Sequence, residues 1–212
     1  YICKLNGEIY KFIDESSQNC TADDGTSGIE LWGTCYSIQN TENLYLSNSG
    51  LSGEIPPAVG SLINLERLYI NDNDLTGAIP TEIGELTNLE TLYLTANNFT
   101  GEIPASFGNL INLEELSLSQ NQISGTIPTD LQNLTNLKWL DLSNNSISGN
   151  ISDWIGGLNT LEFLSLSHNN ISGSLPNELG QISSLVSVQL DNNQLNGEFP
   201  QWISNLNNLI VL

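Results

Sequence analysis

Glycine recurs along this chain at a fixed interval, and that interval limits the fold more than any other feature of the sequence. The glycines stand 24 residues apart, at Gly53, Gly77, Gly101, Gly125, Gly149, Gly173 and Gly197. A constant period between about 20 and 50 residues is typical of solenoids, in which each unit buries its apolar face only against its neighbours. The period predicts one stack of similar units at residues 41–212, preceded by a different segment at residues 1–40.

Each unit contains a short alternating segment, represented by Leu68-Tyr69-Ile70. Alternation with a period of two is expected of a strand that buries one face, so stacked copies would form a parallel sheet. An asparagine follows each predicted strand. Because an amide both donates and accepts hydrogen bonds, a column of asparagines can satisfy the backbone where each unit leaves the sheet. We assign this structural role to Asn73, Asn97, Asn121, Asn145, Asn169 and Asn193, with Ser49 at the first rung.

The unit "LETLYLTANNFTGEIPASFGNLIN", residues 89–112, resembles the plant-type leucine-rich repeat, L-x-x-L-x-L-x-x-N-x-L-x-G-x-I-P. About seven consecutive units follow this pattern. The resemblance implies an α/β fold class: a horseshoe-shaped solenoid with a parallel concave sheet and with short strands or 3-10 helices on the convex side. Proteins of this kind include ectodomains of plant receptor kinases, polygalacturonase-inhibiting proteins and secreted bacterial repeat proteins. The resemblance therefore implies a secreted or cell-surface location and a recognition role without enzymatic activity.

All three cysteines, Cys3, Cys20 and Cys35, lie in residues 1–40, which we interpret as an N-terminal cap. This clustering favours one disulfide in an oxidising compartment, with Cys20 and Cys35 as the preferred pair and Cys3 pairing with a segment upstream. A zinc site is the alternative, although the C-x-x-C spacing that would support it is absent. The cap also contains Asn6-Gly7 between two alternating segments, a combination that predicts a β-hairpin.

The two ends of the chain suggest a fragment of a longer protein. The pattern stops at Leu212, the first strand leucine of an eighth unit, where an apolar cross-section would be exposed unless something covers it. Tyr1 is not an initiator methionine, so a signal peptide cannot be judged. The sequence lacks an apolar run near the roughly 20 residues of a membrane span, so we expect no direct membrane insertion by this fragment.

The chain is strongly acidic, with a formal net charge of −20 from 24 acidic and four basic residues. Such a surface disfavours nucleic acids and anionic membranes as partners. One acidic column runs through the repeats: Glu42, Glu66, Glu90, Glu114 and Glu162, interrupted by Lys138. Carboxylates one strand spacing apart repel each other, so a bridging cation such as calcium is an alternative to a merely solvated surface. No metal-ligand motif is present, and neither a metal site nor a cofactor is predicted.

Residues that alternate with the strand leucines are predicted to point onto the concave face and to bind a partner. They include a tyrosine ladder beside a basic residue, Tyr45, Tyr69, Tyr93 and Arg67, and an aromatic pair, Trp139 and Phe163, with Asp141 and His168 nearby. Exposed aromatic side chains on a rigid sheet are frequent binding anchors, although they can also serve only to stabilise the sheet. In residues 89–104 we expect Thr91, Tyr93, Thr95 and Ala96 to face the partner, with Glu90 at the rim.

These residues favour a protein or peptide ligand that is neutral or basic, because Arg67 and Lys138 are the only basic side chains near the face. Carbohydrate binding for adhesion or cell-wall association is an alternative through the same aromatic residues. Resemblance to a plant repeat protein that binds ice implies a further alternative, ice binding through regular hydroxyl columns, Ser124, Ser148 and Ser172. No catalytic residue is predicted, since the single histidine, His168, has no candidate nucleophile pocket beside it.

Overall fold

The computed structural model describes residues 2–5, 8–11 and 19–211. Residues 41–211 form a solenoid of repeated turns, each containing one strand on the concave side and one 3-10 helix on the convex side. Leucine and isoleucine side chains from every turn are buried in one continuous apolar core. Among the described residues no charged side chain is buried, so stacking of apolar surface from turn to turn stabilises the solenoid.

The concave face is a single parallel sheet of seven strands whose spatial order follows the chain order. Equivalent residues pair across neighbouring strands, as Leu68 does with Leu92 and Leu92 with Leu116. These leucines are fully buried, so the residues on either side of them point toward the concave surface. The strands are Asn43–Tyr45, Arg67–Tyr69, Thr91–Tyr93, Glu115–Ser117, Trp139–Asp141, Phe163–Ser165 and Ser187–Gln189.

The convex side carries short parallel strands and 3-10 helices, as expected from the repeat pattern. The strands form two three-stranded sheets: Ser52–Gly53, Asp74–Ala78 and Asn98–Thr100, then Ser148–Asn150, Asn170–Gly173 and Gln194–Leu195. A proline in extended conformation precedes most of the helices, because its fixed φ suits the turn between strand and helix. In residues 19–211 the helices are Pro57–Ser61, Thr81–Glu85, Ala105–Asn109, Thr129–Asn133, Asp153–Gly157, Asn177–Gln181 and Gln201–Asn205. None of the helices in the described part of the chain has the length and apolarity needed to span a bilayer.

Close contact between turns explains the glycine found in several of these helices. A Cβ atom on Gly84 would lie 2.5 Å from the main-chain oxygen of Ser106 in the next turn, and one on Gly108 would lie 2.6 Å from that of Asp130. Real Cβ atoms do not approach backbone so closely, so glycine lets successive helices pack directly against each other.

The N-terminal segment forms two antiparallel sheets. Strands Ile2–Leu5 and Glu8–Lys11 pair with each other, while the turn expected at Asn6-Gly7 lies outside the described residues. Strands Asn19–Thr21, Ser27–Leu31 and Thr34–Ser37 form the second sheet, and a disulfide joins Cys20 to Cys35 within it. The buried side chains of Ile29 and Leu31 belong to the solenoid core, so this sheet covers its first turn.

Asp24 fixes a turn in this cap and makes its stability sensitive to acid. Its carboxylate accepts hydrogen bonds from the side chains of Asn40 and Thr26 and from the Thr26 main chain, and these bonds lower its pKa to about 2. The pKa of an aspartate in an unfolded chain is about 3.9. The stabilisation is therefore present above about pH 4 and is lost as the pH falls toward 2.

We expect an Asp24→Asn variant to melt at a lower temperature than the wild type at pH 6, with a difference that narrows at about pH 2. Melting followed by circular dichroism at both pH values checks this. Asp23→Asn is the matched control, because it removes one negative charge at the residue immediately before Asp24. A constant Asp24→Asn difference at both pH values would exclude the proposed role of these bonds.

Candidate functional site

The tyrosine ladder lies on the first half of the concave sheet. The rings of Tyr45 and Tyr69 stack with centroids 5.2 Å apart, and those of Tyr69 and Tyr93 meet edge to face at 5.0 Å. Tyr45, at the outer end, is 67% exposed, while the other two rings are half-buried. The ladder therefore both stabilises neighbouring strands and presents aromatic surface, mostly at Tyr45.

Tyr93 is further fixed by a hydrogen bond to the next strand. Its hydroxyl donates to the carboxylate of Glu115, and burial together with this bond raises the pKa of Tyr93 well above its usual range. The phenol consequently stays protonated and holds one oxygen of Glu115 in place.

Arg67 is not available to a ligand as a free cation. Its guanidinium forms ion pairs with Glu66 at 3.2 Å and Glu90 at 2.5 Å, and it also donates to the side chain of Asn43. Sequence reasoning placed Arg67 among the ligand-binding residues, but the structure shows its charge compensated by the acidic column beside it. A ligand would meet its aliphatic stem and one edge of the guanidinium rather than an unpaired positive charge.

Trp139 and Phe163 form the most compact aromatic contact in the sheet. Their ring centroids are 3.7 Å apart with an angle of 9° between the planes, so Phe163 covers one face of Trp139. Trp139 is nevertheless 39% exposed. Its opposite face is directed along the sheet toward Glu115, which occupies the paired position on the preceding strand.

One cavity joins the two aromatic groups that the sequence presented as separate patches. It has a volume of about 320 Å³, and Tyr93 and Trp139 lie on its walls. Asp141 also lines it, with Oδ1 held by the main-chain N–H and hydroxyl of Ser143 at 3.0 and 2.7 Å. We call this depression the central cavity; its remaining lining residues are Asn71, Thr95, Ser117, Ser119 and Gln120.

Several small residues that we expected to face a partner contribute little exposed surface. Thr91 is only 6% exposed, because it lies in register between the longer side chains of Arg67 and Glu115. The hydroxyl groups of Thr95 and Ser117 hydrogen bond to each other at 2.6 Å. Ala96 is half-buried in a left-handed conformation with φ of 53°. Thr95 and Ser117 thus line the central cavity, whereas Thr91 and Ala96 do not, and the expectation for Thr91 was wrong.

His168 lies at the same left-handed position of its own turn, beyond the end of the strand. Its ring nitrogen Nε2 is 3.2 Å from the Asn192 amide nitrogen and 3.7 Å from the Asp191 carboxylate. These neighbours belong to the next turn, and the central cavity is lined by other residues. We therefore treat His168 as a rim residue of the solenoid.

The asparagine column that follows the strands connects successive turns. Asn97 is typical: its Oδ1 accepts the main-chain N–H of Leu75 at 3.0 Å, and its Nδ2 donates to the carbonyl oxygens of Ile70 and Leu94 at 3.0 and 3.1 Å. The other rungs repeat this arrangement, and Asn73 also accepts the main-chain N–H of Ser49. The remaining rungs are Asn73, Asn121, Asn145, Asn169 and Asn193.

A second amide column precedes the strands, and sequence reasoning missed it. Each side chain donates to the main-chain oxygen of a residue in the previous turn, as Asn88 does to Ile63 at 2.9 Å. The signal was present in the sequence as an asparagine at the same 24-residue interval. The column comprises Asn64, Asn88, Asn112, Asn136 and Asn208, with hydroxyl groups of Thr160 and Ser184 at the intervening rungs.

The acidic column lies beside these amides at the rim of the sheet, in a groove lined by Glu42, Glu66, Glu90 and Glu114 together with four of the amides. Two basic side chains of the chain itself neutralise part of it. Arg67 bonds Glu66 and Glu90, and Lys138 bonds Glu114 at 2.7 Å, a contact that raises the pKa of Lys138. Within residues 19–211 no group of three or more His, Cys, Asp or Glu side chains is arranged to hold a metal ion.

The sequence matches the leucine-rich repeat family over most of its length. The family described as leucine rich repeat matches residues 87–147, 136–195 and 40–62, and leucine rich repeats in two copies match residues 63–109. No curated protein sequence matches significantly.

Solved structures with similar folds include ectodomains of plant receptor kinases. The ectodomain of the Arabidopsis thaliana receptor kinase GASSHO1/SCHENGEN3, in complex with CASPARIAN STRIP INTEGRITY FACTOR 2, is 35% identical, with a TM-score of 0.74 over 76% of this chain. The Arabidopsis receptor kinase HAESA ectodomain, in complex with an IDA peptide hormone, is 36% identical, with a TM-score of 0.78 over 81% of this chain. This chain spans only 19% and 29% of those two ectodomains. A plant ice-binding protein is 32% identical, with a TM-score of 0.57 over 76% of this chain and 59% of its own length.

Proposed function

The chain belongs to the leucine-rich repeat family, and we propose on this basis that it is an extracellular recognition module that binds a peptide or an extended protein segment on its concave face. The central cavity carries this proposal, because it combines exposed aromatic walls with a rigid polar floor. Tyr93 is locked by Glu115 and Trp139 by Phe163, so little side-chain entropy would be lost on binding.

The comparisons support the same ligand class. The GASSHO1/SCHENGEN3 and HAESA ectodomains were both solved with the ligands named above, and the HAESA ligand is a peptide hormone. Their fold is a recognition scaffold. We place the chain outside the cell because the related ectodomains are extracellular and because the Cys20–Cys35 disulfide suits an oxidising compartment.

A random peptide library displayed on phage tests this proposal. We expect peptides that bind the immobilised chain to bind a Tyr93→Ala variant about 10-fold more weakly, because the variant removes one aromatic wall. Affinities are measured by isothermal titration calorimetry. Ile111→Ala is the control, since Ile111 is also exposed and apolar but does not line the cavity. Failure to select any peptide, or equal losses in both variants, would contradict the proposal.

Carbohydrate binding remains a second candidate because the cavity places hydroxyl, amide and carboxylate groups beside an aromatic ring. Asn71, Ser117 and Asp141 could bond sugar hydroxyls next to Trp139. The same variant distinguishes the ligands: glycan-array binding that is lost in Tyr93→Ala, without peptide selection, would favour the carbohydrate.

The hydroxyl columns that suggested ice binding are engaged within the protein. Ser124, Ser148 and Ser172 donate to main-chain oxygens of the preceding turn, at 3.2, 3.0 and 3.2 Å. The hydroxyl hydrogens of these serines are therefore already engaged in hydrogen bonds within the protein. These columns support ice binding less than the central cavity supports peptide recognition.

A further inference from the structure

Two carboxylates belong to residues near the uncovered face of Trp139, one on the same strand and one on the preceding strand. Along the sheet, Glu115, Trp139 and Phe163 occupy paired positions on three consecutive strands. Phe163 covers one face of the indole, which leaves the other face toward Glu115 and the central cavity. Asp141 lies two residues after Trp139 on the same strand and lines the same cavity.

Each carboxylate is held by one oxygen and keeps the other for a partner. Glu115 accepts the Tyr93 hydroxyl through Oε2, and Asp141 accepts both Ser143 bonds through Oδ1. Among the described residues no side chain or main chain donates to Glu115 Oε1 or Asp141 Oδ2. The hydrogen bonds to the first oxygens thus orient both carboxylates without exhausting their capacity to accept.

The lysine and arginine side chains of residues 19–211 that lie near the concave face form their ion pairs with other carboxylates. Arg67 is bonded to Glu66 and Glu90, and Lys138 is bonded to Glu114. Asp141 in the cavity lining and Glu115 beside Trp139 on the preceding strand therefore place negative charge near an aromatic face, in a protein of formal net charge −20. A cation near an indole face is attracted by the ring quadrupole, and a carboxylate beside it strengthens the attraction.

We propose that the central cavity binds the guanidinium group of an arginine side chain presented by the ligand, stacked on Trp139 and hydrogen bonded to Asp141 in the cavity and to Glu115 at its edge. Arginine fits better than lysine because its planar group can stack on a ring while its N–H groups donate in the plane. This inference rests on the proposed function, since it specifies one group of the peptide that the concave face binds.

The test uses N-acetyl-arginine amide and its neutral isostere, N-acetyl-citrulline amide, as probes of the intact 212-residue chain. Binding is followed by NMR at low ionic strength through the indole N–H of Trp139, assigned with a Trp139→Phe variant. We expect a saturable shift with the arginine probe and at least about 10-fold weaker binding of the citrulline probe. Equal binding of the two probes would overturn the inference.

Two acidic variants locate the interaction. We expect Asp141→Asn and Glu115→Gln each to weaken arginine binding about 3- to 10-fold, while Asp130→Asn leaves it unchanged. Asp130 is an exposed acid on a convex 3-10 helix, so it controls for the loss of one charge. Equal weakening in all three variants would show nonspecific attraction to the acidic surface and would also overturn the inference.

The outcome is separable from that of the proposed function. Selected peptides that depend on Tyr93 but tolerate replacement of every arginine by citrulline would refute the arginine site and leave peptide recognition intact. Arginine binding at Trp139 without selection of any peptide would retain the site and contradict the wider function.

Discussion

Replacement of Asn97 by alanine is expected to lower the free energy of unfolding by about 3 kcal/mol. The side chain is buried and bonds the main chain of its own turn and of the preceding turn, at Leu94, Leu75 and Ile70. Alanine leaves one N–H and at least one carbonyl oxygen without a partner in a site that water reaches poorly. Each such group costs about 1–3 kcal/mol, so the loss exceeds that of an ordinary surface change.

Urea denaturation monitored by circular dichroism checks this expectation, because the midpoint and slope of the transition give the free energy of unfolding. The matched control is Asn98→Ala, in protein produced without glycosylation because Asn98-Phe99-Thr100 is an N-x-Thr acceptor sequence. Asn98 is the next residue and is exposed, and its side chain accepts one long bond of 3.4 Å from Gln122. Similar losses in the two variants would mean that the column does not hold the turns together.

We expect replacement of Trp139 by alanine to weaken the binding of peptides selected by phage display on the concave face by about 30-fold or more. The change removes the largest aromatic surface of the central cavity and also the stacking support for Phe163. Binding anchors of this kind are enriched in tryptophan because a large rigid ring loses little entropy when it is covered. Because Trp139 is only partly buried, we expect a much smaller effect on stability than on affinity.

Calorimetric titration of the same peptides into three variants checks this prediction. Trp139→Phe should recover part of the affinity, because phenylalanine can still stack on Phe163. Phe199→Ala is the matched control: Phe199 is 71% exposed and precedes the last 3-10 helix on the convex side. An unchanged affinity in Trp139→Ala would place the ligand elsewhere on the solenoid.

Most of the fold could be predicted because the repeat makes long-range contacts periodic. Once Leu68 is assigned to a buried strand position, its counterparts Leu92 and Leu116 must follow, and the pairing register of the concave sheet agrees. The structural role of the asparagine that follows each strand could be predicted equally well, because its hydrogen bonds reach only its own and the adjacent turns. The second amide column, represented by Asn88, had the same periodic signal and was overlooked.

The exposure of individual side chains was harder to predict than the column to which each residue belongs. Thr91 and Tyr93 alternate with the same buried leucine, yet Thr91 is buried between Arg67 and Glu115 while Tyr93 reaches the cavity. Assigning a residue to a column tells only which face of the sheet its side chain leaves from. The size of the neighbouring side chains decides how much of it a ligand can touch.

The sequence by itself determined the solenoid, its parallel concave sheet and the apolar core, because a 24-residue period leaves each turn only its neighbours to pack against. Only the tertiary structure decided that Arg67 pairs with Glu66 and Glu90, and that Tyr93 and Trp139 wall one cavity. These features depend on side-chain rotamers and charges chosen across several turns. No single repeat contains that information, because each side chain settles against neighbours supplied by the turns on either side.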